Sequence, residues 1–184
     1  MGNKIISRAV IFDLVQIAAA FAGIVSKMLL ATDNIWGWIL AIIGYVLVAI
    51  YNLFYVQLKI LAVVVIGLAF LCIYGLVKWL GQTEGIQILD WVIVITTILF
   101  SIWLSIVESK NKAPLWRISL FVAFTTFLAW ITLGMKINIM GWSTLLVSHA
   151  LLCFIYANKK SWAFVVMQVI SFGIAVWKLY DLLV

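Results

Sequence analysis

The chain has few charged residues, a single proline and none of the motifs that mark soluble catalytic domains. Charged side chains make up 10% of its 184 residues, against about 25% in a typical soluble protein. The one proline, Pro114, stands at the start of a predicted helix, where proline is well tolerated. No phosphate-binding loop, zinc-protease motif or serine-hydrolase elbow occurs. We therefore expect neither an enzyme nor a bound cofactor.

Cysteine and histidine are scarce as well. The two cysteines, Cys72 and Cys153, both fall in apolar stretches, which favours buried thiols over a disulfide or a metal site. The only histidine is His149. A single histidine without clustered acidic residues leaves little catalytic machinery for an intramembrane enzyme. The sequence therefore predicts no metal site and argues against catalysis inside the membrane.

Apolar side chains dominate the chain. Hydrophobic residues make up 67% of it, and its mean hydropathy is +1.27. This composition predicts an all-α integral membrane protein, because a helix satisfies its own backbone hydrogen bonds in lipid. Charged residues mark the boundaries of seven predicted transmembrane helices of about 20 residues each. These predicted spans are 9–31, 35–57, 60–80, 88–108, 114–135, 138–157 and 161–181.

The basic residues indicate an orientation in the membrane. Eight fall on one predicted side and four on the other, so the positive-inside rule places the N-terminus in the cytoplasm. We expect a bacterial plasma (inner) membrane. Basic charge at membrane edges is a poor argument for nucleic-acid binding. The eight are Lys4, Arg8, Lys59, Lys110, Lys112, Arg117, Lys159 and Lys160, and the four are Lys27, Lys78, Lys136 and Lys178.

Two similar segments indicate an internal duplication. Asn34-Ile35-Trp36-Gly37-Trp38 and Asn138-Ile139-Met140-Gly141-Trp142 are separated by 104 positions. Each opens a predicted helix with polar and aromatic residues at intervals of seven, which is about two helical turns. These residues are Trp38, Tyr45 and Asn52 in one helix, and Trp142, His149 and Tyr156 in the other.

The duplication predicts two parallel three-helix repeats joined by a linker helix. In this register, residues 1–184 form one transmembrane domain, with repeats at 9–80 and 114–181 and the linker at 88–108. Lys59-x-x-Ala62-x-Val64-Val65 resembles Lys160-x-x-Ala163-x-Val165-Val166, which supports the pairing of the third helices. A second register pairs span 1 with span 4, because Phe12-Asp13-Leu14-Val15 resembles Leu89-Asp90-Trp91-Val92. Both registers remain open.

The third span and the start of the sixth resemble the PnuC transporter family. The similar residues are Gln57-Leu58, Ile73-Tyr74-Gly75, Trp79 and Trp142. PnuC proteins carry nicotinamide riboside or, in relatives, thiamine or riboflavin, and share a three-one-three arrangement of helices with the SWEET sugar transporters. The resemblance implies this fold, and a substrate-stacking role for Trp142. Three positions depart from the family pattern: Cys72 and Leu146 replace asparagine, and Val65 replaces glutamine. The substrate is therefore expected to differ.

Polar and aromatic groups inside the spans are the candidate substrate ligands, because a polar group in hydrocarbon is costly. Aromatic rings could stack on a planar solute, and amides or an imidazole could bond its edge. Structural roles are the alternative to substrate binding. A tryptophan can anchor a helix at the membrane interface, and a histidine can form an interhelical hydrogen bond. The candidates are Trp38, Tyr45, Asn52, Tyr74, Trp142, His149 and Gln168.

Other polar and small residues in the spans are assigned structural roles. Asp13 and Asp90 are expected to reach the headgroups from the membrane edge. Threonine hydroxyls and glycines are expected to serve helix packing. The threonines are Thr96, Thr97, Thr125 and Thr126, and the glycines are Gly23, Gly44, Gly67 and Gly173.

The sequence favours a transporter that carries a small, partly planar solute by facilitated diffusion, such as nicotinamide riboside or a related vitamin. Alternating access would come from rocking one three-helix repeat against the other. The expected partners are the solute and the lipid bilayer, without nucleic acid, and a homo-oligomer is left open. The alternative is a non-transporting membrane scaffold or an accessory subunit of a membrane complex.

Overall fold

The computed structural model describes residues 2–56, 59–81, 87–111, 116–158 and 160–184. Within these ranges the chain forms α-helices and one π-helical turn, without a strand. The π-helix, Asn52–Val56, continues α2. The α-helices are α1 (Gly2–Ala31), α2 (Trp36–Tyr51), α3 (Lys59–Leu80), α4 (Ile88–Asn111), α5 (Trp116–Gly134), α6 (Asn138–Asn158) and α7 (Trp162–Leu183).

The helices confirm the predicted all-α class for the described residues. Five are long and apolar enough to cross a membrane, which indicates an integral membrane protein. Their apolar segments are Val10–Ala31, Trp36–Phe54, Ala62–Leu80, Asn138–Asn158 and Trp162–Leu183. Two shorter apolar helices, Ile88–Leu104 and Leu120–Gly134, occupy the predicted fourth and fifth spans. Outside the described residues lie Gln57, Leu58, Lys112, Pro114, Lys159 and residues 82–86.

The chain divides into two compact units, Met1–Ile73 and Tyr74–Val184, with the division inside α3. In the first unit, α1 packs against α2. In the second, α5 packs against α4 and α6, and α6 packs against α7. The expectation of a single domain with a linker helix at 88–108 stays a prediction.

The turn between α1 and α2 ends the first helix by a double hydrogen bond to its last carbonyls. Asp33 has a left-handed backbone, with a φ of 55°. Its N–H donates to Leu30 O at 3.0 Å, and the N–H of Asn34 donates to Leu29 O at 2.8 Å. This pair of bonds is the Schellman motif, and it reverses the chain so that α2 returns along α1.

The turn between α5 and α6 has the same geometry. Lys136 has a φ of 61°. Its N–H donates to Leu133 O at 3.0 Å, and the N–H of Ile137 donates to Thr132 O at 2.8 Å. The turn between α6 and α7 repeats the left-handed residue at Lys160. Each hairpin therefore begins from a similarly capped helix end.

Glycines at the start of α2 and α6 permit close approach to the preceding helix. A Cβ on Gly37 would lie 2.6 Å from Leu30 Cγ and 2.7 Å from Ser26 O. A Cβ on Gly141 would lie 2.6 Å from Leu133 Cγ. The expectation of close packing at Gly173 is wrong, because a Cβ there meets nothing within 4 Å.

The burial of α3 and α7 does not follow the sequence match at their starts. Val65 is buried in α3, whereas Val166, its counterpart in that match, is exposed on α7. Because burial reports which helix face is turned toward the protein, the two segments do not present the same face. The segments that begin at Lys59 and Lys160 are therefore similar in sequence but differ in which positions are buried.

Candidate functional site

Polar side chains lie near the middle of three helices of the second unit. They are Thr126 on α5, Ser148 and His149 on α6, and Gln168 and Ser171 on α7, and all are buried. We call this group the polar layer. Each member lies within about two turns of the centre of its helix, so in a bilayer the layer would fall in the hydrocarbon region.

A hydroxyl pair joins α5 to α6. Thr126 Oγ1 and Ser148 Oγ are 2.5 Å apart. Thr126 Oγ1 also donates to Val122 O in its own helix at 2.7 Å. Because a hydroxyl carries one proton, Ser148 must be the donor in the pair with Thr126. Ser148 Oγ is then left with lone pairs that can accept a further hydrogen bond.

An imidazole–amide pair joins α6 to α7. His149 Nδ1 lies 2.5 Å from Gln168 Oε1. An amide oxygen only accepts, so Nδ1 carries the proton in this arrangement. In the neutral ring Nε2 then acts as an acceptor, and the bond to Gln168 sets the orientation of the imidazole.

Ser171 completes the layer one turn beyond Gln168. Its side chain has no exposed surface, and its Oγ has no hydrogen-bond partner among the described residues. A buried hydroxyl without a partner loses the hydrogen bonds it would make to water, at a cost of about 1–3 kcal/mol. Such a group is therefore a candidate to bond a bound molecule.

The two predicted stacking tryptophans are buried, unlike the tryptophans at the first positions of α2 and α7. Trp38 is 0% and Trp142 is 1% exposed, whereas Trp36 and Trp162 are 62% and 65% exposed. A tryptophan that anchors the protein at the membrane interface must reach the headgroups. The exposed pair fits that role, and the buried pair does not. Trp142 shares the face of α6 with His149, two turns earlier.

Three of the candidates, Trp38, Tyr45 and Asn52, lie in the first unit. Trp38 and Asn52 are buried there, and Tyr45 is half-buried. Asn52 begins the π-helix, and its backbone N–H bonds the carbonyls of Val48 and Ala49. Short π-helical segments occur frequently at functional sites. The predicted site residues are thus divided between the two units.

Tyr74 belongs to a separate buried cluster around Asp90. The Tyr74 hydroxyl donates to Asp90 Oδ1 at 2.6 Å, and Lys78 Nζ donates to Oδ2 at 3.0 Å. The backbone N–H of Gln87 also donates to Oδ2 at 2.7 Å. We call these four residues the Asp90 cluster. The Tyr74 hydroxyl therefore holds α3 to the start of α4.

The expectation that Asp90 reaches the lipid headgroups is wrong, because its side chain is fully buried. Two bonds to Oδ2 and one to Oδ1 compensate for its desolvation. The spacing of Tyr74 and Lys78 was a usable signal, since residues four apart lie on one helix face. In the polar layer, Ser148 is next to His149 in the sequence, and Ser171 follows Gln168 by three residues. These polar neighbours were a usable signal for the layer, but Ser148 and Ser171 were not predicted.

Lysines expected at a membrane edge are buried in the helices. Lys27, Lys78 and Lys178 all have little exposed surface. Lys78 pairs with Asp90, and Lys178 Nζ lies 3.4 Å from Asp181 Oδ2. Of the four lysines assigned to that side, Lys136 is exposed.

The chain was compared with known protein families, proteins and structures. No protein-family model, curated protein or solved structure matches the chain.

Proposed function

We propose that the protein is a divergent PnuC-type membrane transporter that carries a small, partly planar solute by facilitated diffusion. The observation that carries the proposal is Ser171, a fully buried hydroxyl without a hydrogen-bond partner among the described residues. It lies in a layer of polar groups at the middle of three helices. Polar groups at such a depth are costly in lipid and mark solute paths.

The polar layer offers hydrogen bonds suited to a heterocycle or a nucleoside. Ser171 can donate or accept, Ser148 has acceptor capacity, and the ring of His149 is oriented by Gln168. Trp142, on the same face of α6 as His149, could stack on a planar ring. Nicotinamide riboside, thiamine and riboflavin all combine an aromatic ring with polar edges, so we propose this substrate class.

The proposed architecture is a pair of parallel three-helix repeats joined by a linker helix. Support comes from two of the three capped hairpins, α1–α2 and α5–α6, which correspond in the two repeats and have matching hydrogen bonds in their turns. The buried faces of α2 and α6 also correspond at the 104-residue offset. The corresponding pairs are Gly37 and Gly141, Trp38 and Trp142, Ala41 and Leu145, and Gly44 and Ser148.

We propose a bacterial plasma membrane location with the N-terminus in the cytoplasm. The positive-inside rule counts basic residues near water, close to the ends of the spans. Because Lys27, Lys78 and Lys178 are buried, they are poor members of that count. Among the side chains that the structure describes, Lys110, Arg117 and Lys160 are exposed on the side proposed to be cytoplasmic, and Lys136 is exposed on the other.

Uptake by reconstituted protein tests the function. We expect liposomes containing the protein to accumulate radiolabelled nicotinamide riboside, thiamine or riboflavin to equilibrium without an ion gradient. Ser171→Ala should lower the ratio of maximal uptake rate to half-saturating concentration about tenfold, the equivalent of one hydrogen bond of about 1.4 kcal/mol. It should not lower thermal stability, because it removes a buried hydroxyl that bonds no group in the described part of the chain.

Thr144→Ala is the matched control for this experiment. Thr144 lies on α6, where it is half-buried, and its hydroxyl donates to Met140 O and Gly141 O of its own helix. We expect its uptake to equal that of the unmodified protein. Folded protein that carries none of the three solutes would contradict the vitamin transporter, and unchanged uptake in Ser171→Ala would contradict the site.

The second candidate is a non-transporting scaffold or an accessory subunit of a membrane complex. Two members of the layer on α6 already pair with neighbouring helices, Ser148 with Thr126 and His149 with Gln168. Such interhelical bonds hold membrane helices together without any transport role. This candidate predicts that no solute is taken up, that Gln168→Leu lowers thermal stability, and that another membrane protein co-purifies in stoichiometric amount.

A further inference from the structure

The three lysines that are buried in the described part of the chain are not equivalent. Lys78 lies 3.0 Å from Asp90, and Lys178 lies 3.4 Å from Asp181. Lys27 is 5% exposed, and no carboxylate among the described residues lies within ion-pair distance of its ammonium group. A buried amine in a membrane helix without a counter-ion is costly, so its presence calls for a reason.

The contacts of Lys27 lie within the first unit. Its Nζ donates to Gly23 O, one turn back in α1, at 3.2 Å. The neighbouring hydroxyl of Ser26 is turned to the same carbonyl at 3.4 Å. A bond to the carbonyl four residues earlier is what a helical side chain makes when no other acceptor is at hand. An ammonium group has three donors, and this bond uses one of them.

The thiol of Cys72 on α3 interacts electrostatically with Lys27. Both side chains are buried in the first unit. A thiol is only a weak acceptor, so Cys72 does not replace the carboxylate that the other two lysines have. Among the described residues the Lys27 ammonium bonds a backbone carbonyl and no carboxylate, so it has donors left for an anion.

We propose that Lys27 is the recognition point of an oxyanion-binding site in the first unit, with Ser26 as a second donor. The ligand chemistry is a carboxylate or phosphate group. Its negative charge would supply the missing counter-ion, and its oxygens would accept from the ammonium and the hydroxyl. This site goes beyond the proposed transport of a neutral or cationic vitamin and is independent of the polar layer.

Thermal unfolding of the detergent-solubilised protein tests the proposal without any transport assay. Sodium acetate or sodium phosphate should raise Tm over sodium chloride of equal ionic strength. The shift should reach about 5–10 °C at concentrations near 100 times Kd. In nanodiscs, phosphatidylglycerol is compared with phosphatidylcholine. A shift with the soluble salts assigns the site to a solute, and a shift only with phosphatidylglycerol assigns it to a lipid headgroup.

Two lysine variants separate an anion site from a structural lysine. Lys27→Met should abolish the anion-dependent shift and leave the Tm in chloride unchanged or higher, because it removes a buried amine that has no carboxylate. Lys78→Met should lower Tm by about 10 °C, because it leaves Asp90 buried without its cation. Lys136→Met changes an exposed lysine and should keep the full anion-dependent shift.

The results that overturn the site are equally definite. If no anion raises the Tm of the unmodified protein, in detergent or in nanodiscs, the proposed anion site is overturned. An anion-dependent shift that survives in Lys27→Met also overturns it. A loss of stability in Lys27→Met as large as in Lys78→Met would show that Lys27 is a structural residue.

Discussion

Replacement of Asp90 by asparagine is expected to lower the free energy of unfolding by about 3–5 kcal/mol. The carboxylate is fully buried, and it accepts from the Tyr74 hydroxyl, the Lys78 ammonium and the backbone N–H of Gln87. Asparagine keeps the shape but removes the charge, so the buried ion pair between Lys78 and Asp90 is lost. Thermal or denaturant unfolding in detergent micelles measures the change.

Asp181→Asn is the matched control, because Asp181 is also paired with a lysine but is exposed. Its replacement should cost less than that of Asp90, because the Asp181 carboxylate is exposed to solvent whereas that of Asp90 is fully buried. The double variant Lys78→Met with Asp90→Leu should recover most of the stability lost in Asp90→Asn, because an apolar pair of similar volume needs no counter-ion. Equal losses for Asp90→Asn and Asp181→Asn would contradict the buried cluster.

Addition of one methyl group at Gly37 is expected to destabilise the α1–α2 hairpin by about 1–3 kcal/mol. The new Cβ of Gly37→Ala would lie 2.7 Å from Ser26 O and 2.8 Å from Leu30 N. These are backbone atoms, so no side-chain rotation relieves the contact, and the two helices must separate. The midpoint of thermal unfolding and circular dichroism of the purified variant report the loss.

Gly173→Ala is the control for this substitution, because its Cβ meets nothing within 4 Å. Alanine is the better helix former by about 1 kcal/mol, so this variant should be neutral or more stable. Gly44→Ala should lie between the two, since its Cβ would meet Ala22 Cβ and Gly23 N at an ordinary 3.6 Å. Equal stabilities of the Gly37→Ala and Gly173→Ala variants would contradict the close approach of α1 and α2.

The helices could be predicted closely from the sequence, because long apolar runs and charged interruptions are local properties. The predicted span 138–157 corresponds to α6, Asn138–Asn158, and the predicted span 60–80 corresponds to α3, Lys59–Leu80. The π-helical turn after Tyr51 was not predicted. It changes the hydrogen-bond register by one residue without changing composition, so hydrophobic periodicity carries no signal for it.

The candidate site could be predicted only in part. His149 and Gln168 were singled out one at a time as polar groups in apolar helices, and the structure brings them together across 19 positions of sequence. Ser148 and Ser171 were missed, because serine in a membrane helix usually satisfies itself on its own backbone. Whether it does so depends on the face of the helix that meets a neighbour.

The sequence by itself determined the membrane class, the number of helices and the positions of the turns between them. These follow from how many consecutive apolar residues a bilayer requires and from where charge interrupts them. Only the tertiary structure decided which polar groups compensate one another. It gave Asp90 three donors and, among the described residues, left Lys27 without a carboxylate and Ser171 without a hydrogen-bond partner. Those outcomes depend on helix rotation and approach at the scale of a single hydrogen bond, to which composition and periodicity are insensitive.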